Sequence, residues 1–130
     1  MKRDLVILAC AISAGIHGAL VPEHFAEGAG PGIGFVLATA LLAAVAIGIT
    51  LRSTSDLVVA GAAFVFAGLL ASYLLATTTG LPVFHPEPEP VDNLALATKA
   101  IEAVGLLAAA SLLRRPRAAV RHLQLKGTPT

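Results

Sequence analysis

Residues 33–51 read IGFVLATALLAAVAIGITL, and this stretch decides the fold class of the protein. It contains no Asp, Glu, Lys or Arg, and its apolar residues form a continuous run instead of one stripe. A helix of about 20 residues, rising 1.5 Å per residue, crosses the roughly 30 Å hydrocarbon core of a bilayer. The stretch is therefore predicted to be a transmembrane helix.

Three more apolar stretches of similar length surround it, at about 5–21, 57–78 and 91–113. Of the 130 residues, 56% are hydrophobic and 13% are charged, whereas a soluble domain carries about 25% charged residues. Helices satisfy their own backbone hydrogen bonds in lipid, and open strands do not. We predict an all-α integral membrane four-helix bundle over residues 1–113, followed by a basic cytoplasmic tail over 114–130.

The basic residues predict the orientation of the bundle. They precede the first span, separate the second from the third and follow the fourth: Lys2, Arg3, Arg52, Arg114, Arg115, Arg117, Arg121 and Lys126. The two remaining loops carry acids instead: Glu23, Glu27, Glu87 and Glu89. Basic loops stay cytoplasmic, so the helices should run up-down-up-down with both termini cytoplasmic. High Ala and Gly, with more Arg than Lys, suggest a bacterial source, so we expect this multi-pass protein in a bacterial inner membrane.

Three ionisable residues fall inside the predicted spans, where such groups are costly and are functional suspects. His17 lies in the first span, and Lys99 and Glu102 lie in the fourth. Tyr73 of the third span is expected at about the depth of His17. These four residues predict an intramembrane polar pocket that opens outward between spans one, three and four. Lys99 and Glu102 could form a neutralising structural pair, or Glu102 could be a proton or cation site.

A second group, His17, Glu23, His24 and Glu27, predicts a metal site, because imidazole and carboxylate suit several transition metals. Haem is a related alternative. Pro22 is expected to interrupt the helix between the histidines, and the spacing matches no established zinc or copper motif. An interfacial hydrogen-bonding cluster is therefore the competing interpretation. His85 could add a further ligand, although the proline-rich loop around it favours a stiff extended cap.

Two segments carry a resemblance: GIHGALVPEHFAEGAGPGIGF at 15–35 and TTTGLPVFHPEPEPVDNLALATKAIE at 77–102. The first has a His…Pro-Glu-His pattern after helix one, and the second has Gly-Leu-Pro…Glu-Pro before helix four. Together they resemble small uncharacterised four-span bacterial membrane proteins. The resemblance implies the fold but no activity, substrate or cofactor.

Three functions remain open from the sequence. We favour a non-enzymatic accessory or assembly protein with a polar outer-leaflet pocket. The alternatives are a metal- or haem-linked redox or metal-handling protein and a small proton-coupled transporter. The expected partners are the lipid bilayer and either a homo-oligomer or a larger membrane complex. The basic tail is too small a surface for nucleic acid, and no phosphate-binding loop, Gly-x-Ser-x-Gly or His-Glu-x-x-His motif favours an enzyme.

Overall fold

The computed structural model describes residues 1–52, 55–82 and 86–114, which form four helices. These are α1 (Lys2–Glu27), α2 (Ala29–Leu51), α3 (Asp56–Thr78) and α4 (Asn93–Leu113). Each is long and apolar enough to cross a membrane, and its most apolar 18 residues have a mean hydropathy between 1.6 and 2.4. The prediction of an all-α protein with four candidate membrane spans is confirmed.

The first two helices extend into the segment that the predicted spans 5–21 and 33–51 left between them. α1 passes through Pro22 and ends at Glu27, and only Gly28 separates it from α2. Pro31 is the third residue of α2. A proline is tolerated there because the first backbone N–H groups of a helix have no intrahelical partner. The expectation that Pro22 interrupts the helix was wrong, so both helices extend beyond the predicted spans at this end.

The four helices pack around one apolar core. α1 contacts α2 and α4, and α3 also contacts α2 and α4. The largest fully buried apolar side chains are Phe66, Leu42, Ile49, Val6 and Cys10. Gly105 lets α4 approach Phe66, because a Cβ at this glycine would lie 2.5 Å from the ring. Small residues of this kind permit the close backbone approach on which helix packing in membranes depends.

The link between α3 and α4 is held against the end of the bundle. The backbone N–H of Glu89 donates a 2.9 Å hydrogen bond to the carbonyl oxygen of Ala76 near the end of α3. Asp92 then caps α4, because its carboxylate accepts a 2.8 Å hydrogen bond from the backbone N–H of Ala95. These two bonds hold Glu89 near the end of α3 and Asp92 at the start of α4.

Large apolar side chains cover the outside of the bundle. Leu57 is 81% exposed, Phe64 is 80% exposed and Leu107 is 70% exposed. A soluble monomer rarely leaves so much contiguous apolar surface in water. Lipid contact on this surface explains it, which agrees with the hydropathy of the four helices.

Candidate functional site

A buried carboxylate lies at the centre of the candidate site. Glu102 of α4 is 0% exposed. One of its oxygens, Oε1, accepts a 2.7 Å hydrogen bond from the hydroxyl of Ser13 on α1. The other, Oε2, accepts a 2.8 Å hydrogen bond from the ammonium of Lys99, one turn earlier on α4. Both oxygens therefore have charged or polar donors, as a carboxylate removed from solvent requires.

His17 adds a second titratable group beside this carboxylate. Its Nδ1 lies 2.9 Å from the backbone carbonyl oxygen of Ser13. A carbonyl only accepts hydrogen bonds, so Nδ1 carries the proton and Nε2 is the nitrogen left for other partners. Nε2 is 3.9 Å from Oε1 of Glu102, which is beyond direct hydrogen-bond distance. Protonation of Nε2 would add a positive charge next to the carboxylate.

Lys99 connects the carboxylate to α3. Its ammonium lies 5.5 Å from the centroid of the Tyr73 ring, within the range of a cation–π contact. The Tyr73 hydroxyl is buried and has no hydrogen-bond partner among the described residues. The structure thus links His17, Tyr73, Lys99 and Glu102 in one continuous set of contacts. Their joint use as a functional site stays a prediction.

A cavity of about 670 Å³ opens next to these residues. His17 and Lys99 line it, whereas Glu102 lies behind them, outside its lining. Apolar side chains from every helix form most of the wall: Ile16 and Leu20, Phe35 and Ala38, Leu69, and Leu94. The sequence predicted that spans one, three and four form the walls of the pocket. In the structure α2 also contributes to them. The acids in the lining are Glu23, Glu27, Glu89 and Asp92.

Both histidines of α1 pack against the same aromatic ring. His24 stacks on Phe35 with ring centroids 3.5 Å apart, and His17 contacts it at 5.1 Å. His24 also donates from Nδ1 to the carbonyl oxygen of Leu20 at 2.9 Å. Because α1 is continuous through Pro22, the two histidines share one helix seven residues apart. The interfacial hydrogen-bonding cluster of these histidines with Glu23 and Glu27 stays a prediction.

The predicted metal ligands do not converge. Within the described residues, no group of three or more His, Cys, Asp or Glu side chains could hold a metal ion. His17, Glu23, His24 and Glu27 are all described and do not form such a group in this structure, and metal binding by them stays a prediction. His85 lies outside the described residues.

Two residues of the site were missing from the sequence prediction. Ser13 lies four residues before His17, and that spacing places both on one helical face, but nothing in the sequence pairs Ser13 with Glu102. Phe35 reads as an ordinary apolar residue in a transmembrane stretch. Its contacts with both histidines depend on how α2 packs against α1, which the sequence does not reveal.

No protein-family model matches the chain, and no significant match is found among curated proteins or solved structures. The resemblance to small four-span bacterial membrane proteins therefore stays a prediction, supported only at the level of four long apolar helices.

Proposed function

We propose that this multi-pass membrane protein is a non-enzymatic accessory protein that binds a small ligand in the cavity at the acidic end of its bundle. The observation that carries the proposal is the position of His17 and Lys99. Both line a cavity of about 670 Å³, and both also contact Glu102, which is 0% exposed. Small-molecule sites are typically concave and largely apolar, with a few polar groups that orient the ligand.

Helix contacts support an up-down-up-down course. Ala9 of α1 lies next to Gly105 of α4, and Ser13 of α1 bonds Glu102 of α4. Residue numbers rise along α1 as they fall along α4, so the two helices are antiparallel. The same reversal occurs between α3 and α4, in the pairs Phe66 with Gly105 and Tyr73 with Lys99. With the basic residues inside, both termini are cytoplasmic in our proposal, and the cavity opens outward in a bacterial inner membrane.

In our proposal, access to the cavity comes from the acidic end of the bundle. Towards the opposite end, the bundle interior is filled by buried apolar side chains: Val6, Cys10, Phe66, Ala109 and Leu112. Such a core gives neither water nor an ion a polar route past Glu102. This arrangement favours a binding protein with one-sided access over an open channel. It is compatible with a role in a homo-oligomer or a larger membrane complex.

The test is native mass spectrometry of protein extracted from its own membranes in mild detergent. Ala95 of α4 lines the cavity, whereas Ala97 is exposed on the same helix and does not line it. We expect a bound small molecule on the wild type and on Ala97→Phe, and its loss from Ala95→Phe because the phenylalanine ring would obstruct the cavity. Equal occupancy of the two variants would refute the binding function, and a wild type without any bound molecule would count against it.

A proton-coupled carrier is the second candidate, and the Glu102 contacts favour it specifically. A proton on Glu102 would cancel its attraction for Lys99, whose side chain is 15% exposed and reaches the cavity. Proton binding could thus change the charge of the cavity wall. If the protein is such a carrier, the Glu102→Gln variant should remain folded but lose proton-dependent uptake into liposomes. Uptake equal to that of the wild type would exclude a carrier that works through Glu102.

A further inference from the structure

We infer that the ligand of this cavity is an amphipathic organic cation, with its charge at the acidic mouth and its apolar body between the helices. The inference rests on the proposed binding function, because it names the chemical class that the same cavity would take. It follows from the sign of the charges in the lining, the distance between the two ends and the nature of the walls.

The charges that line the cavity are mostly negative. Four carboxylates contribute to the lining: Glu23, Glu27, Glu89 and Asp92. Among the described residues, Lys99 is the one lysine or arginine in the lining, and its ammonium already bonds Glu102. A cleft lined by one sign of charge raises the local concentration of ions of the opposite sign. The mouth therefore favours a cation, and an anion would have to pass the carboxylates to reach Lys99.

The acids lie well above the inner end of the cavity. Glu23 follows His17 by six residues on α1, and Asp92 precedes Lys99 by seven at the start of α4. At 1.5 Å per residue, both intervals correspond to about 10 Å along a helix. The intervals on α1 and α4 therefore give the same depth for the cavity. A ligand of this length could have its charge at the acids while its other end approaches His17 and Lys99.

Apolar side chains line the depth between these two ends. Leu20 contributes from α1, Phe35 from α2 and Leu94 from α4. Burial of each ligand methylene against such a wall is favourable, whereas a second buried ammonium would be repelled by Lys99. The charge of the ligand should therefore point outward and its apolar body inward.

A bare metal ion does not suit this arrangement. Within the described parts of the chain, no three carboxylate, imidazole or thiolate side chains lie close enough to hold one. Dispersed carboxylates instead suit a large cation, whose weak hydration does not require a closed shell of ligands. The volume of about 670 Å³ also falls within the usual range of small-molecule sites, about 300–1,000 Å³.

The experiment compares two soluble amphiphiles with the same tail and opposite charges, hexyltrimethylammonium and hexanesulfonate. Each is titrated calorimetrically into the full chain in a non-ionic maltoside, and titrations into empty micelles are subtracted. Tetramethylammonium is the probe without an apolar tail. The variants are Glu23→Gln/Glu89→Gln at the mouth, Ala95→Phe within the cavity, and Asp56→Asn at the opposite end of the bundle as a charge control.

We expect hexyltrimethylammonium to bind at least about tenfold more tightly than either other probe. Only this probe has both a positive charge for the acidic mouth and an apolar tail for the apolar walls. The double glutamine variant should weaken its binding about tenfold by removing two of the attracting charges. Ala95→Phe should abolish binding, and Asp56→Asn should leave it unchanged.

Equal or tighter binding of hexanesulfonate would overturn the cation inference, as would unchanged affinity in the double glutamine variant. Failure of the proposed function would look different. If mass spectrometry finds a cavity-bound molecule but the cationic probe does not bind, only the ligand class is wrong. If no molecule is found and no probe binds, the binding function itself is wrong.

Discussion

Ser13 of α1 donates a 2.7 Å hydrogen bond to Glu102 of α4, and both side chains are 0% exposed. This bond joins the first and last helices at a depth where water does not reach either group. It also leaves Oε2 of Glu102 for the ammonium of Lys99. The stability of the bundle should therefore depend on this carboxylate in a way that separate substitutions can measure.

The Lys99–Glu102 ion pair should be costly to break from one side. Glu102→Leu leaves a partly buried ammonium without its partner, and we expect a loss of about 3–5 kcal/mol in unfolding free energy. Lys99→Met/Glu102→Leu removes both charges and should recover most of that loss. Reversible unfolding in mixed micelles measures both variants. A single variant as stable as the double variant would contradict the buried pair.

Two hydroxyl groups in the site should differ in their contribution to stability. Ser13→Ala removes a donor from the buried carboxylate, which should cost about 1–3 kcal/mol. Tyr73→Phe removes a buried hydroxyl that has no partner in the described structure. It should change stability by no more than about 0.5 kcal/mol, or increase it. The same unfolding assay applies, and a larger loss in Tyr73→Phe would mean that its hydroxyl has a partner in the membrane.

The contact between α3, α4 and α1 should limit the size of residue 105. A Cβ at Gly105 would lie 2.5 Å from Cζ of Phe66 and 2.9 Å from Cβ of Ala9. We expect Gly105→Ala to destabilise the bundle by about 1–3 kcal/mol through overpacking. Gly68→Ala is the matched control, because nothing lies within 4 Å of a Cβ at that glycine. The prediction fails if the two substitutions change the melting temperature equally.

The orientation of the bundle can be tested by cysteine labelling. Cys10 is fully buried, and Cys10→Ala provides a background without cysteine. In intact cells, a membrane-impermeant maleimide should label Glu27→Cys. It should label Asp56→Cys only after permeabilisation, because the distribution of basic residues predicts that this end is cytoplasmic. The reverse pattern would mean that the cavity opens to the cytoplasm.

Sequence alone determined that this chain is all-α with four candidate membrane spans. A long uncharged apolar run in lipid satisfies its own backbone hydrogen bonds only as a helix. The sequence also marked His17, Tyr73, Lys99 and Glu102, because charged and polar groups stand out against such a background. The tolerance of α1 for Pro22 was not predictable from local rules, which disfavour proline in a helix interior.

Only tertiary structure decided which of these groups meet. Lys99 and Glu102 are three residues apart and could be paired by helical spacing, but Ser13 and Glu102 are 89 positions apart. Their contact depends on the rotation of α1 against α4, and almost uniformly apolar helices give no stripe from which that rotation could be inferred. The same holds for Phe35, which meets both histidines through the packing of α2 on α1.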